Sequence, residues 1–148
     1  HVMVMVEAPQ VSEAGAMPEG ELLAAMGHYN EALVKAGVML ASEGLHPSRK
    51  GVRVRYSGNQ RSVVDGPFVE TRELVAGFRL WQVRSMDEDI EWVRRCPNRH
   101  AEDCEVGIRP VFEADDFGEA FTPELREQED RLRAEVEAWR KQYATEGT

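Results

Sequence analysis

The segment that most restricts this chain is Asp65-Gly66-Pro67-Phe68-Val69-Glu70-Thr71-Arg72-Glu73, set between two stretches that read as β-strands. Pro67 fixes its own φ and moves Gly66 away from the helical region, while Gly66 tolerates backbone angles closed to other residues. A continuous helix through this point is excluded, and the backbone is held in a defined bend. Phe68 follows at once and can plug a core, pinning the loop from beneath. Asp65 is then left at a strand end with its carboxylate aimed into the space the bend encloses. The residues alone support two roles for it. It is either a rigid acid serving a cleft or an acceptor for the N–H groups of its own turn, the usual part of an Asp before Gly.

On either side of this bend the hydrophobic periods alternate between those of strand and helix. Val2 to Val6 is a short apolar run that suits a strand buried on both faces. Leu22, Met26, Tyr29 and Leu33 recur at spacings of four, three and four, a helical stripe over 19–36 that Gly37 stops. A second strand is expected over 38–45. Val52, Val54 and Tyr56 alternate with Arg53 and Arg55, and Ser57-Gly58-Asn59-Gln60 reads as a hairpin turn into a half-exposed strand over 61–64. Leu74 to Val83 reads as a central strand in which Gly77 marks a bulge or a close backbone approach. Ser85-x-x-Glu88 is a capping-box pattern, with Asp87, Glu88 and Asp89 at the positive end of a helix whose buried stripe is Met86, Ile90 and Val93. Pro97 and Asn98 end that helix. Val106, Ile108 and Phe112 alternate with Glu105, Gly107 and Val111 in a last strand. The order β-α-β-β-β-β-α-β is an α+β, ferredoxin-like arrangement with an inserted hairpin, its antiparallel sheet covered by helices on one face.

At 148 residues, 42% of them hydrophobic, the chain holds one proper core with an appendage and is too short for two ordinary domains. A formal charge of −9 argues against a general phosphate-backbone binder, so no nucleic-acid partner is expected. No stretch approaches the ~18 consecutive apolar residues of a membrane span, and the cytoplasm is the expected compartment. Cys96 and Cys104 are too few for a disulfide framework. Cys96-x3-His100-x3-Cys104 matches none of the usual zinc spacings, and no metal site is assigned to it. Nothing resembles a Gly-rich phosphate loop or a flavin or nicotinamide fingerprint, so any chemistry is expected to need no cofactor.

The last segment opens with Thr122-Pro123, an N-cap followed by proline at the first helical position, and carries Leu125, Leu132, Val136, Trp139 and Tyr143 among charged residues. A helix of about five turns with one narrow apolar seam is not stable alone. Its seam must lie on this domain, on a dimer mate or on another partner, with the dimer favoured.

Three separated blocks carry a resemblance: DGPFVETRELVAGF from residue 65, EALVKAGVMLASEGLHPS at 31–48 and EWVRRCPN at 91–98. Together they resemble the YCII-related family, in particular its branch named for a DGPF motif. The likeness covers residues 2–113, so 1–113 is read as the YCII-like domain and 114–148 as a linker and amphipathic helix. It implies a ferredoxin-like domain that forms a homodimer through its sheet, as a dimeric α/β-barrel. It also implies a His–Asp pair in a cleft and, for one class of members, similarity to dehydrochlorinases acting on chlorinated hydroxyquinols. Other members are similar to proteins found near alternative sigma factors.

The candidate catalytic residues are therefore His28, Asp65 and Glu43. An imidazole oriented by a carboxylate is a standard general base near neutral pH. His28 lies one position off the Tyr29 stripe, and its polar neighbours Asn30 and Glu31 equally suit a plain surface histidine. Glu43, with Ser42 and His46, forms a second polar cluster at the end of the second strand. Sharing a cleft with Asp65 would push one of the two carboxyls upward and leave an acid able to donate; the alternative is that Glu43 pairs with an arginine. Ser42, Phe68, Thr71 and Arg72 are the candidate ligand-binding residues. Two functions fit: a cofactor-independent enzyme working by proton abstraction, elimination or isomerisation on a small hydroxylated or halogenated ring, or a non-catalytic ligand-sensing or protein-interaction module linked to transcriptional regulation.

Overall fold

The computed structural model describes residues 1–7, 20–68, 74–97 and 104–146. The chain divides into two compact units, residues 1–111 and 112–148. In the first, strands β1 (Val2–Glu7), β2 (Met39–Gly44), β5 (Val75–Trp81) and β6 (Val106–Pro110) form an antiparallel sheet in the order β2-β5-β1-β6. Helix α1 (Gly20–Lys35) links β1 to β2, and α2 (Met86–Arg94) links β5 to β6. Strands β3 (Val52–Ser57) and β4 (Gln60–Asp65) pair with each other and, among the described residues, with no other strand, as a hairpin inserted between β2 and β5. This is the expected ferredoxin-like α+β topology.

The core lies on one face of the sheet. Val2 is in register with Trp81, and Val4 with Arg79 and Ile108, so these side chains share a face. Met26, Tyr29 and Leu33 of α1 and Val38 complete the buried cluster, with Trp92, Val93 and Cys96 packed against it. Met3 and Met5 point to the other face and are only half-buried. The expectation that β1 is buried on both faces is thus corrected, because α1 and α2 both pack on one side.

The close of α1 follows from its sequence. Gly37 takes φ 70°, its N–H donates to the Val34 carbonyl, and the Val38 N–H donates to that of Leu33. This reversal satisfies the terminal carbonyls and returns Val38 to the core beside Leu33. Gly58, at φ 58°, supplies the first position of the two-residue turn in the β3–β4 hairpin. Every residue of that hairpin's strands is exposed rather than half-exposed. Gly77 serves the close approach its position suggests: a Cβ there would lie 2.9 Å from the Glu43 carbonyl oxygen, and the β1–β5 register shifts just past it.

Two further expectations are corrected. Helix α2 is capped by Ser85 Oγ, which accepts from the Glu88 N–H at 3.2 Å, while the Glu88 carboxylate accepts from the Arg84 N–H at 2.8 Å. From that start the helix turns Asp89, Trp92 and Val93 inward and leaves Met86 and Ile90 exposed. Trp92 fixes the phase, because its carbonyl accepts the Tyr29 hydroxyl at 2.6 Å and its ring meets that of Tyr29 edge-on. Phe112, read as the end of the last strand, instead belongs to the second unit, where its ring lies 5.2 Å from that of Phe117.

The second unit is a 3-10 segment, Ala114–Ala120, kinked at Gly118, followed by α3 (Pro123–Glu146). Thr122 caps α3 through its Oγ1, which accepts from the Leu125 N–H, and Arg126 pairs with Asp115 at 2.9 Å. At 24 residues the helix is longer than the sequence suggested.

Candidate functional site

Strand β2 leaves the sheet at Gly44, and the Leu45 N–H still holds the Ala76 carbonyl at 2.8 Å. The chain then turns through His46 and Pro47 into a single 3-10 turn, Ser48–Lys50. The Asp65–Phe68 bend docks onto this turn through two backbone donors. The Gly66 N–H reaches the Gly51 carbonyl at 2.9 Å, and the Phe68 N–H reaches Ser48 Oγ at 3.0 Å. The Gly66–Pro67 peptide is cis. Gly66 lies directly against the Ser48 carbonyl, where only a residue without a Cβ fits.

This docking encloses a cleft of about 270 Å³. Its floor and walls are Leu45, Pro47, Val52, Leu74, Val75 and Ala76, with Phe68 on one side. Its polar groups come from His46, Ser48 and Arg53. The Arg53 guanidinium stacks on the Phe68 ring, 3.8 Å from its centroid. The cleft is thus mostly apolar, with an aromatic plate, a cation on that plate and an imidazole. Such a surface suits a small flat ligand bearing an electron-rich or acidic oxygen.

Of the residues singled out from sequence, Phe68 lies in the cleft. Asp65 is exposed at the end of β4 and faces Val52 across the hairpin. Directly paired residues share a face, so Asp65 stands beside a cleft residue. His46 lines the cleft, whereas Ser42 and Glu43, grouped with it from sequence, do not. Ser42 is in register with Arg79 on the helix-covered face, and Glu43 with Phe78 on the other. His28 is exposed on α1, and no hydrogen bond or ion pair among the described residues joins it to Asp65. Thr71, Arg72 and His100 lie outside the described residues. Neither Cys96 nor Cys104 takes part in a disulfide among the described residues.

A second polar group, beneath the sheet, was not foreseen. Arg79 is 3% exposed, its guanidinium 5.3 Å from the centre of the Tyr29 ring and its Nη1 3.8 Å from Cys96 Sγ. Burial, and then the neighbouring Cys96, push the Tyr29 phenol above its ordinary range. Asp89 is 0% exposed, and neither of its oxygens has a hydrogen-bond partner among the described residues. Burial, and then Glu88, raise its carboxyl above the usual carboxylate range. Arg79 was detectable as a charge at an inward parity of β5, between Gly77 and Trp81. Asp89 carried no such signal, since an acid in the first turn of a helix reads as a solvated capping charge.

The description of the YCII-related domain matches residues 1–115, which include the whole sheet, both of its helices and the docked bend. This chain belongs to the YCII-related family. An uncharacterised protein of Rhizobium meliloti (strain 1021) is similar to this chain, 32% identical over 78 residues. That match covers 53% of this chain and 63% of the relative, so the chain spans less than two thirds of its length. No helix among the described residues is long and apolar enough to cross a membrane.

Proposed function

We propose that this YCII-related chain binds a small hydroxylated or halogenated ring in the cleft under the Asp65–Phe68 bend and acts on it by proton transfer, without a cofactor. The observation that carries this reading is the placing of His46 in the same cleft as the Phe68 plate and its stacked Arg53. The apolar walls hold the ring and Phe68 orients it. Positive charge at Arg53 favours a phenolate or enolate over its neutral form, since an opposite charge close by stabilises the ionised state. His46 is the base in this cleft, since a ring nitrogen of an imidazole can accept a proton from the bound ring. It takes the role first assigned to His28. Asp65, beside Val52 at the rim, is the orienting or acidic partner.

A panel of hydroxylated and halogenated benzenes and quinols, followed by heteronuclear NMR and by product analysis, tests this. Binding should shift the resonances of Val52, Phe68 and Val75, and Phe68→Ala should weaken it by about tenfold or more. Turnover should fall about a hundredfold or more in His46→Gln with binding retained. His28→Gln should leave both unchanged. Turnover that survives His46→Gln, or shifts confined to residues outside the cleft, would sink the proposal. Binding without turnover in the native chain selects the second reading, a ligand-sensing module, which the exposed apolar seam of α3 supports as a surface for reporting to a partner.

A further inference from the structure

Helix α3 carries an exposed apolar seam. Leu125, Leu132, Val136, Trp139 and Tyr143 are 44–58% exposed, and the Trp139 and Tyr143 rings stack on each other at 5.5 Å. Their spacing is a heptad. Leu125, Leu132 and Trp139 fall at d, and Val136 and Tyr143 at a, with Glu129 as the polar a position. A β-branched a residue with leucines at d is the combination that favours two parallel strands. The flanks settle the orientation. Position e is Arg126, Arg133 and Arg140, whereas position g is Gln128, Glu135 and Gln142. An antiparallel pair would set e against e, arginine facing arginine along the seam. A parallel pair sets g against e of the next heptad, which brings Glu135 to Arg140 and leaves no like-charged flank. The polar a residue is tolerated because Glu129 already holds Arg133 of its own helix at 3.1 Å. A lone polar a position also specifies register.

We infer that α3 pairs, parallel and in register, with α3 of a second copy of this chain. The partner is chosen by the seam and its flanking charges, and the inference stands apart from the cleft and its ligand. At 24 residues, the helix supplies a seam of about 36 Å, long enough for just over three heptads.

Cysteine cross-linking of the full chain tests it. Under mild oxidation Tyr143→Cys should form a 143–143 disulfide, mapped by peptide mass, whereas the outward-facing Glu137→Cys should form no matching 137–137 bond. In the Tyr143→Cys background, Arg140→Glu should reduce the cross-link by about tenfold, and the exchange of charges in Glu135→Arg with Arg140→Glu should restore it. Because the exchanged pair keeps the composition of the helix, its rescue separates pairing from loss of the helix. Three results overturn the inference: no 143–143 bond above the Glu137→Cys background, a bond indifferent to Arg140→Glu, or a 125–143 bond when Leu125→Cys and Tyr143→Cys chains are mixed.

Discussion

Gly66 lies flat against the backbone of Ser48, whose carbonyl oxygen fills the place where a residue-66 Cβ would stand. The Phe68 N–H on the Ser48 hydroxyl locks the same contact from the other side. Two short segments far apart in sequence are thereby fused into one rim, and the cleft exists because of that fusion.

Gly66→Ala should therefore separate the bend from the 3-10 turn. The obstacle is backbone on backbone, which no side-chain rotation relieves, so a loss of about 1–3 kcal/mol is expected, the usual cost of overpacking. Urea denaturation measures the stability. The Phe68 N–H, freed from Ser48, should show faster hydrogen exchange.

Gly37→Ala provides the contrasting case. A Cβ at residue 37 meets nothing within 4 Å, but the backbone holds φ 70°. The expected loss is about 1 kcal/mol, from left-handed backbone alone, and Gly37→Asn should lose less. If Gly37→Ala cost as much as Gly66→Ala, the steric account of the bend would fail.

The buried Asp89 gives a dependence on pH whose sign follows from its raised pKa. The folded chain holds this proton more tightly than the unfolded one. The stability it contributes is full below the ordinary carboxyl pKa of about 4 and is lost as pH rises through the folded value. Asp89→Asn lacks the charge, so the variant should gain on the native protein as pH climbs from about 4 to 7, by about 1–3 kcal/mol at the top, the cost of an unsatisfied buried polar group. Urea midpoints of both proteins at several pH values decide it; a difference independent of pH would show that folding leaves the Asp89 carboxyl unshifted.

Tyr29→Phe removes the hydroxyl that donates to the Trp92 carbonyl at 2.6 Å. The hydrogen bond ties α1 to α2 across the core, and its loss should cost about 1 kcal/mol. Thermal unfolding followed by calorimetry checks this. Tryptophan fluorescence should shift with it, because Trp92 packs edge-on against the same ring.

Much of the fold is legible in the residues, because local signals agree with the global arrangement. The α1 stripe, the Gly37 stop, the two-residue turn at Gly58 and the Ser85 cap each act over a few residues, and each forms as its sequence indicates. What failed was the phase of α2. Met86, Ile90 and Val93 make a credible stripe, but the helix is rotated by its contact with Tyr29, a residue far away in sequence. No local pattern contains that information. The cleft was legible only in part for a similar reason. Phe68 was found because a proline-stiffened bend must be pinned by something. His46 was noticed in a cluster with Ser42 and Glu43, yet strand pairing sends those two to opposite faces of the sheet, and only His46, beyond the strand end, reaches the cleft. A buried acid such as Asp89 runs against its own surroundings, which is why the pattern of charges concealed it.

The β3–β4 ribbon shares no ladder with the four main strands. Insertions or deletions at its tip near Gly58 can accordingly be absorbed without disturbing any pairing in the main sheet, while its other end, at Val52 and Arg53, lines part of the cleft. The ribbon can thus vary at either end while the interior on which the domain folds is left untouched.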